Sequence, residues 1–246
     1  MPLAEIAPPL KGELNTNYLL GENASQPPTH LLRAPRRNDA IFESIDHEYN
    51  FIGFTGLGGR YRRRTPQEQS NFAVKAALSG LKVLPPIYGN GTDYTFAFLS
   101  EIETLDTFLS GANKGDAEEF IVDIFKDLRK AHAGGVIYGD RWSKNILRSG
   151  KYGLVHVDFD LELSGSPAVE FEVAQVTYYT LSCGKEKIIP ILAKLLLDSP
   201  WFNFETIKQF LRGHAAHFNN TPYGGIISET ETLICIVNKL NEEKHK

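Results

Sequence analysis

Three polar residues near the middle of the chain, Asp140, Asn145 and Asp158, stand where apolar segments give way to loops. Asn145 follows Asp140 by five positions, and Asp158 follows Asn145 by thirteen. They lie in Tyr138-Gly139-Asp140-Arg141-Trp142-Ser143-Lys144-Asn145-Ile146-Leu147 and in Val155-His156-Val157-Asp158-Phe159-Asp160. A loop carrying Asp and Asn, then a hairpin, then a second Asp at a strand end can converge on one point. Phosphoryl transfer from ATP requires such a point. It needs hard oxygen ligands for Mg²⁺ and a carboxylate that orients and deprotonates the attacking hydroxyl. Mg²⁺ keeps several waters, so one Asp and one Asn oxygen suffice from the protein. Asp and Asn also favour loops for local hydrogen-bonding reasons, and either one alone reads equally well as a turn cap. Their joint spacing with Asp158 singles them out.

The elements that would position these residues can be read along the chain. Thr29–Arg33, Ala40–Ile45 and Tyr49–Thr55 are strand candidates, and Gly56, Gly58 and Gly59 punctuate the stretch after them. A helix is expected from Thr65, with Pro66 at its first position, Glu68 completing a capping box and Gly80 as its stop. A turn at Gly89-Asn90-Gly91 precedes a strand over Tyr94–Leu99, and Ser100–Glu103 is a connector. Phe120, Ile121, Ile124, Phe125, Leu128 and His132 recur at helical spacing, which predicts a helix over Ala117–Ala133 that Gly134-Gly135 ends. Leu154–Val157 is a short buried strand, and the remainder is helical. A sheet-rich beginning and a helical end argue for an α+β fold of two lobes with a cleft between them.

The totals fit this outline. The 246 residues are 42% hydrophobic and 23% charged, with a formal net charge of -4, which argues against a disordered chain or a nucleic-acid-coating protein. Cys183 and Cys235 are too few and too far apart for a disulfide framework and read as buried free thiols. No Cys/His cluster has zinc spacing. The longest apolar stretch, Ile188–Leu197, contains Pro190 and Lys194 and falls short of the ~20 residues of a membrane span. With no secretory signal in the first residues, a soluble cytoplasmic protein without integral membrane association is expected.

The central motifs resemble the catalytic and metal-binding loops of the protein-kinase superfamily, in which an Asp, four residues, an Asn and a later Asp-Phe-Gly recur. The resemblance implies a kinase-like domain, with a small β-rich N-lobe over residues 1–100, a helical C-lobe over 101–246 and an ATP cleft between them. It implies Asp140 as catalytic base and Asn145 and Asp158 as Mg²⁺ ligands. It also implies Arg33 in the place of the phosphate-binding Lys, with Glu68 as its ion-pair partner. Leu20-Gly21-Glu22-Asn23-Ala24-Ser25 would be the phosphate-covering loop, with Gly21 and Ser25 at the nucleotide, and adenine would lie by Ser100 and Glu101. Gly139 stands where many protein kinases have Arg, and Asp160 replaces the Gly of Asp-Phe-Gly. The Asp-Phe-Asp and Leu31–Arg37 stretches resemble lipopolysaccharide-core (Kdo) kinases. The Gly-Asp loop and Arg62–Glu68 resemble the small kinase of the KEOPS complex. The expected activity is therefore a kinase that moves the γ-phosphoryl group of ATP to a hydroxyl on a sugar, glycolipid or protein Ser/Thr. A nucleotide-binding pseudokinase scaffold and an ATPase regulated by a partner protein are the alternatives.

Simpler roles stand beside these. Glu68 is fully explained by the capping box, and a carboxylate bonded back to Thr65 cannot also reach Arg33. Arg33 is otherwise a surface residue of a strand. Arg60–Arg64 reads either as a solvated face or as a receptor for an anionic substrate. His132 is either a brace for the catalytic loop or a core histidine, and His156 is read as structural. Asp160 is a third metal-site oxygen or a loop stabiliser. Glu162 and Glu170–Glu172 are expected on the substrate side without a catalytic role.

Overall fold

The computed structural model describes residues 4–11, 15–23, 25–35, 39–90, 92–199 and 201–244. Ala24, Arg36, Arg37 and Gly91, each part of an expectation above, lie outside the described residues.

Short strands β1 (Ala4–Glu5), β2 (Leu10–Lys11), β3 (Asn15–Gly21) and β4 (His30–Pro35) open the chain. Helix α1 (Asp39–Ile52) comes next, then β5 (Arg60–Arg63), α2 (Pro66–Leu78), β6 (Tyr88–Gly89), β7 (Tyr94–Ala97) and β8 (Ile102–Thr104). Helices α3 (Leu105–Gly111) and α4 (Lys114–Ala133) lead to strands β9 (Ile146–Ser149), β10 (Gly153–His156) and β11 (Leu161–Ser164). Helices α5 (Ala168–Gly184), α6 (Ile189–Leu197), α7 (Phe204–His217) and α8 (Ile227–Lys244) complete it. The α+β expectation is met: an N-terminal antiparallel sheet is followed by a helical C-terminal region.

The main sheet runs β1-β3-β4-β7-β6, with β2 also on β3. Side chains alternate faces along a strand, so residues two apart share a face. Leu31 sits between Leu19 and Phe96, and Arg33 between Asn17 and Tyr94, so these two cross-strand rows share one face of the sheet. All six of these residues line a single cavity.

Helix α2 starts as its sequence dictates. Glu68 N donates to Thr65 Oγ1 at 3.3 Å, Thr65 N donates to the Glu68 carboxylate at 2.7 Å, and Pro66 occupies the first turn. Helix α4 covers the predicted span and begins three residues earlier, at Lys114, where Asn113 accepts from Asp116 N.

Two strand expectations are corrected. Ala40–Ile45 and most of Tyr49–Thr55 form α1 and the turns after it. The six residues of Ala40–Ile45 are too few to fix a period, but Ile41, Ile45, Tyr49 and Ile52 recur at spacings of three and four over the whole helix. Its second half, Tyr49 and Ile52, is buried by the helical region, while part-buried Ile41 and Ile45 line the cavity. Tyr49 and Phe54 pack on Phe171 of α5 with ring centres 4.9 and 4.3 Å away, and Phe171 packs on Phe210 of α7 at 5.1 Å. Strand β5 pairs with β11, a hundred residues on. Segment 39–63 is thus built into the C-terminal core although it precedes α2.

The basic run 60–64 is not a solvated face as a whole. Arg62 pairs with Glu68 and Glu162, Arg63 lies over the Phe42 ring, and Arg64 is buried. Both cysteines are free, but Cys183 is only part-buried and Cys235 is exposed. Among the described residues no helix is long and apolar enough to cross a membrane.

Candidate active site

The loop that carries Asp140 is shaped by its neighbours' backbone needs. Gly139 has φ 107, and a Cβ there would stand 2.1 Å from the Leu161 carbonyl oxygen, so no other residue fits. Its N–H donates to Glu172 Oε1 at 2.7 Å, and Glu172 Oε2 lies 2.6 Å from His132 Nε2. His132 thus braces the loop through Glu172. Glu172 is buried beneath the loop and does not line the cavity described below.

Two buried guanidinium groups fasten the loop to the segment after β10. Arg64 Nη1 donates to the carbonyls of Tyr138, Phe159 and Leu161 at 3.2, 3.1 and 2.6 Å. Arg141, fully buried, donates to the carbonyls of Asn145 at 3.3 Å, of Val157 at 3.0 Å and of Asp158. Burial lowers the proton affinity of both, that of Arg64 to about 10. Backbone carbonyls collect on these cations because each is a buried acceptor that needs a donor.

The Asn145 side chain is oriented by its own loop. Its Nδ2 donates to the Asp140 carbonyl at 3.0 Å, and Val157 N donates to the Asn145 carbonyl at 3.1 Å. The amide oxygen is thereby turned away from the backbone that holds the nitrogen. Asp158 has φ 60, a left-handed conformation that Asp tolerates better than most residues. Its Oδ2 is 2.7 Å from Arg33 Nη2, while its buried Oδ1 has no hydrogen-bond partner. Burial opposes the Asp158 charge, yet Arg33 holds the carboxyl below its ordinary value. Burial likewise opposes the Arg33 charge, and Asp158 and Asp160 more than offset it.

Asp140, Asn145, Asp158 and Arg33 line one cavity of about 920 Å³, with Asp160 beside them. That volume is at the upper end for small-molecule sites. Its apolar wall includes Leu19, Leu31, Leu84, Phe96, Leu99, Leu147 and Val157. Among the described residues no group of three His, Cys, Asp or Glu side chains is disposed to hold a metal. The orphaned Asp158 oxygen and the Asn145 amide do fit Mg²⁺, which takes part of its shell from water and phosphate.

Other expected residues are not brought to this point. Glu68 stays at the start of α2, in its capping box and paired with Arg62 at 2.9 Å. The capping bonds close over three residues, whereas reaching Arg33 would require giving up both. Arg33 pairs instead with Asp158 and Asp160, the latter at 3.2 Å. Gly21 ends β3 against Ile6, and exposed Ser25 donates from its hydroxyl to Asn23 Oδ1 at 2.6 Å. Neither lines the cavity, and β3 contributes Asn17 and Leu19 instead. Ser100 and Glu101 are exposed, while their neighbours Phe98, Leu99 and Ile102 face the cavity. His156 is a core residue, stacked on Tyr138 with ring centres 4.6 Å apart, and burial holds its proton affinity well below normal.

Three contributors go beyond what residue spacing signals. Arg141 has no signal, since its partners are backbone atoms. Asp160 belongs to the motif, but its contact with Arg33 spans 127 positions. Glu48 of α1, also on the cavity wall, falls between two segments expected as strands.

No known family model matches the chain, and no curated protein matches it in sequence. Its structure does have counterparts. The GDP and kanamycin complex of APH(2")-IIia superimposes with a TM-score of 0.51 at 10% identity, covering 98% of this chain and 92% of that one. The fold is protein-kinase-like. Two other members of this fold overlap less. The Rio2 kinase–ADP/Mg²⁺–phosphoaspartate complex from Chaetomium thermophilum has a TM-score of 0.47 at 11% identity, over 97% of this chain and 72% of that one. The PknI kinase domain of Mycobacterium tuberculosis has a TM-score of 0.42 at 13% identity, over 73% and 77%.

Proposed function

We propose that this kinase-like chain is an ATP- and Mg²⁺-dependent phosphotransferase acting on a hydroxyl group. The observation that carries the proposal is the convergence of Asp140, Asn145 and Asp158 on one cavity, with a buried Asp158 oxygen left unpartnered. Asp140 accepts the proton of the attacking hydroxyl and fixes its direction. Asn145 and Asp158 hold the metal, which when bound neutralises phosphate charge. Arg33 lines the same cavity, and once released from Asp158 and Asp160 it would clamp phosphate oxygens through its fork of N–H donors. Adenine lies against the apolar wall that Leu31, Phe96, Leu99, Leu147 and Val157 provide.

The acceptor class rests on resemblance. Asp158-Phe159-Asp160 resembles the Kdo kinases and favours a sugar or glycolipid hydroxyl, with a protein Ser or Thr next. The chain is read as acting in the cytoplasm. A second reading is a pseudokinase scaffold or a partner-regulated ATPase. The Arg33 contacts to both aspartates favour it, because they occupy the groups that would bind nucleotide and metal.

ATP turnover by the wild type and Asp140→Asn, over a panel of sugar and peptide acceptors, separates these readings. General-base catalysis contributes roughly 10²- to 10⁴-fold, and a loss of that order is expected from the variant. Equal turnover would remove Asp140 from the chemistry. Mg²⁺-dependent stabilisation by ATP without turnover on any acceptor would favour the scaffold.

A further inference from the structure

Arg33 and Asp158 come from different parts of the fold and satisfy each other only in part. Arg33 stands on β4 of the main sheet, and Asp158 follows β10. One nitrogen, Arg33 Nη2, serves two carboxylates, at 2.7 Å from Asp158 Oδ2 and at 3.2 and 3.3 Å from the two Asp160 oxygens. The buried Arg33 Nε–H has no hydrogen-bond partner, and neither has the buried Asp158 Oδ1.

A buried donor and a buried acceptor are therefore left over on the two sides of one ion pair. Each costs free energy until something supplies its partner. The spare donor sits on a guanidinium, which is planar, forked and always charged, so its complement is an oxyanion such as a phosphate. The spare acceptor sits on a carboxylate, and its complement is a hard cation. Both residues line the one cavity, so both complements would reach them through it.

The charges make these two ligands depend on each other. With Arg33 Nη2 2.7 Å from its oxygen, Asp158 cannot take a divalent cation without opposing it to a guanidinium that has no proton to lose. A phosphate that draws Arg33 away removes this opposition and leaves Asp158 without the cation it touches. Metal and phosphate together restore both pairings with the partners exchanged. We propose that Arg33 is an internal counter-ion of Asp158, which holds a free divalent cation off this carboxylate until the phosphates of a nucleotide release it. Nucleotide and metal binding are then coupled through Arg33, and the coupling is reciprocal. This rests on the nucleotide and metal sites of the phosphotransferase reading above.

The test is Mn²⁺ binding to the full chain without nucleotide, followed by the EPR signal of the free ion. Mn²⁺ suits the same hard oxygen ligands as Mg²⁺. Coupling of this kind is worth roughly 5- to 150-fold in affinity, so Arg33→Met, which keeps the stem and loses the charge, should bind Mn²⁺ about tenfold more tightly than the wild type. Arg33→Gln, also neutral, should do the same. Arg33→Lys, which keeps the charge, should bind as weakly as the wild type. The gain should vanish when Asp158→Asn is added to Arg33→Met. Equal Mn²⁺ affinity in the wild type and both neutral variants overturns the proposal, as does a gain shared by Arg33→Lys or one that survives Asp158→Asn. None of these arms contains nucleotide, so they are decided apart from phosphoryl transfer. Failure of a non-hydrolysable ATP analogue with Mg²⁺ to bind the wild type would instead strike the phosphotransferase reading, and with it the nucleotide's part in releasing Arg33.

Discussion

Glu48 is held uncharged by burial and by the Asp140 charge, and this has a sign in stability. The folded carboxyl keeps its proton up to about pH 8, whereas an unfolded one releases it near 4.5. Between those values the unfolded state binds fewer protons, so stability falls as pH rises. Gln does not titrate. Glu48→Gln should therefore match the wild type in thermal midpoint below pH 4.5 and exceed it increasingly toward pH 8. A pH-independent difference would contradict the burial of this group. At this scale spacing was enough to foresee that Asp140, Asn145 and Asp158 share one cavity wall. Glu68 went to its cap because Thr65 is three residues away, and a local bond needs no tertiary closure. Glu48 and Arg141 were not legible, because their neighbours are set by packing and by backbone carbonyls that no residue type announces.

Helix ends and tight loops follow local rules, and their substitutions have bounded effects. Thr65→Ala removes the α2 cap and should destabilise the protein by about 1 kcal/mol in a denaturant titration. ATP affinity should hold, since Glu68 lies away from the cavity. A large fall in ATP affinity with unchanged stability would restore Glu68 to the nucleotide site. Gly139→Ala is different. A Cβ 2.1 Å from the Leu161 carbonyl oxygen, at φ 107, forces the loop and β11 apart. The variant is expected to lose both stability and turnover, with Asp140 displaced. Wild-type turnover from it would mean that the loop geometry is not required. The α2 and α4 spans were readable because caps and a helical apolar period agree. Helix α1 was misread because six residues are too few to separate a period of two from one of 3.6.

The whole molecule brings the site together by long-range closure. Strand β5 pairs with β11, Arg64 ties α2's entry to the Asp140 loop and to the segment after β10, and α1 lines the cavity from the side of the C-terminal core. The order of strand-rich and helical halves was visible in the sequence, and it was enough for the α+β class. The placement of segment 39–63 was not visible, because β5 and β11 are about a hundred residues apart and carry no mutual signal. The central claim concerns a divalent cation and a nucleotide held jointly by Asp158 and Asn145. A ligand that binds only the folded state stabilises it by about 2.7 kcal/mol at a hundredfold its dissociation constant. The direct measurement is the thermal midpoint of wild type and Asp158→Asn with a non-hydrolysable ATP analogue, with and without Mg²⁺. The wild type should be stabilised strongly only when both are present, and Asp158→Asn should lose the metal-dependent part. Stabilisation that ignores Mg²⁺, or that survives the substitution intact, would contradict the account.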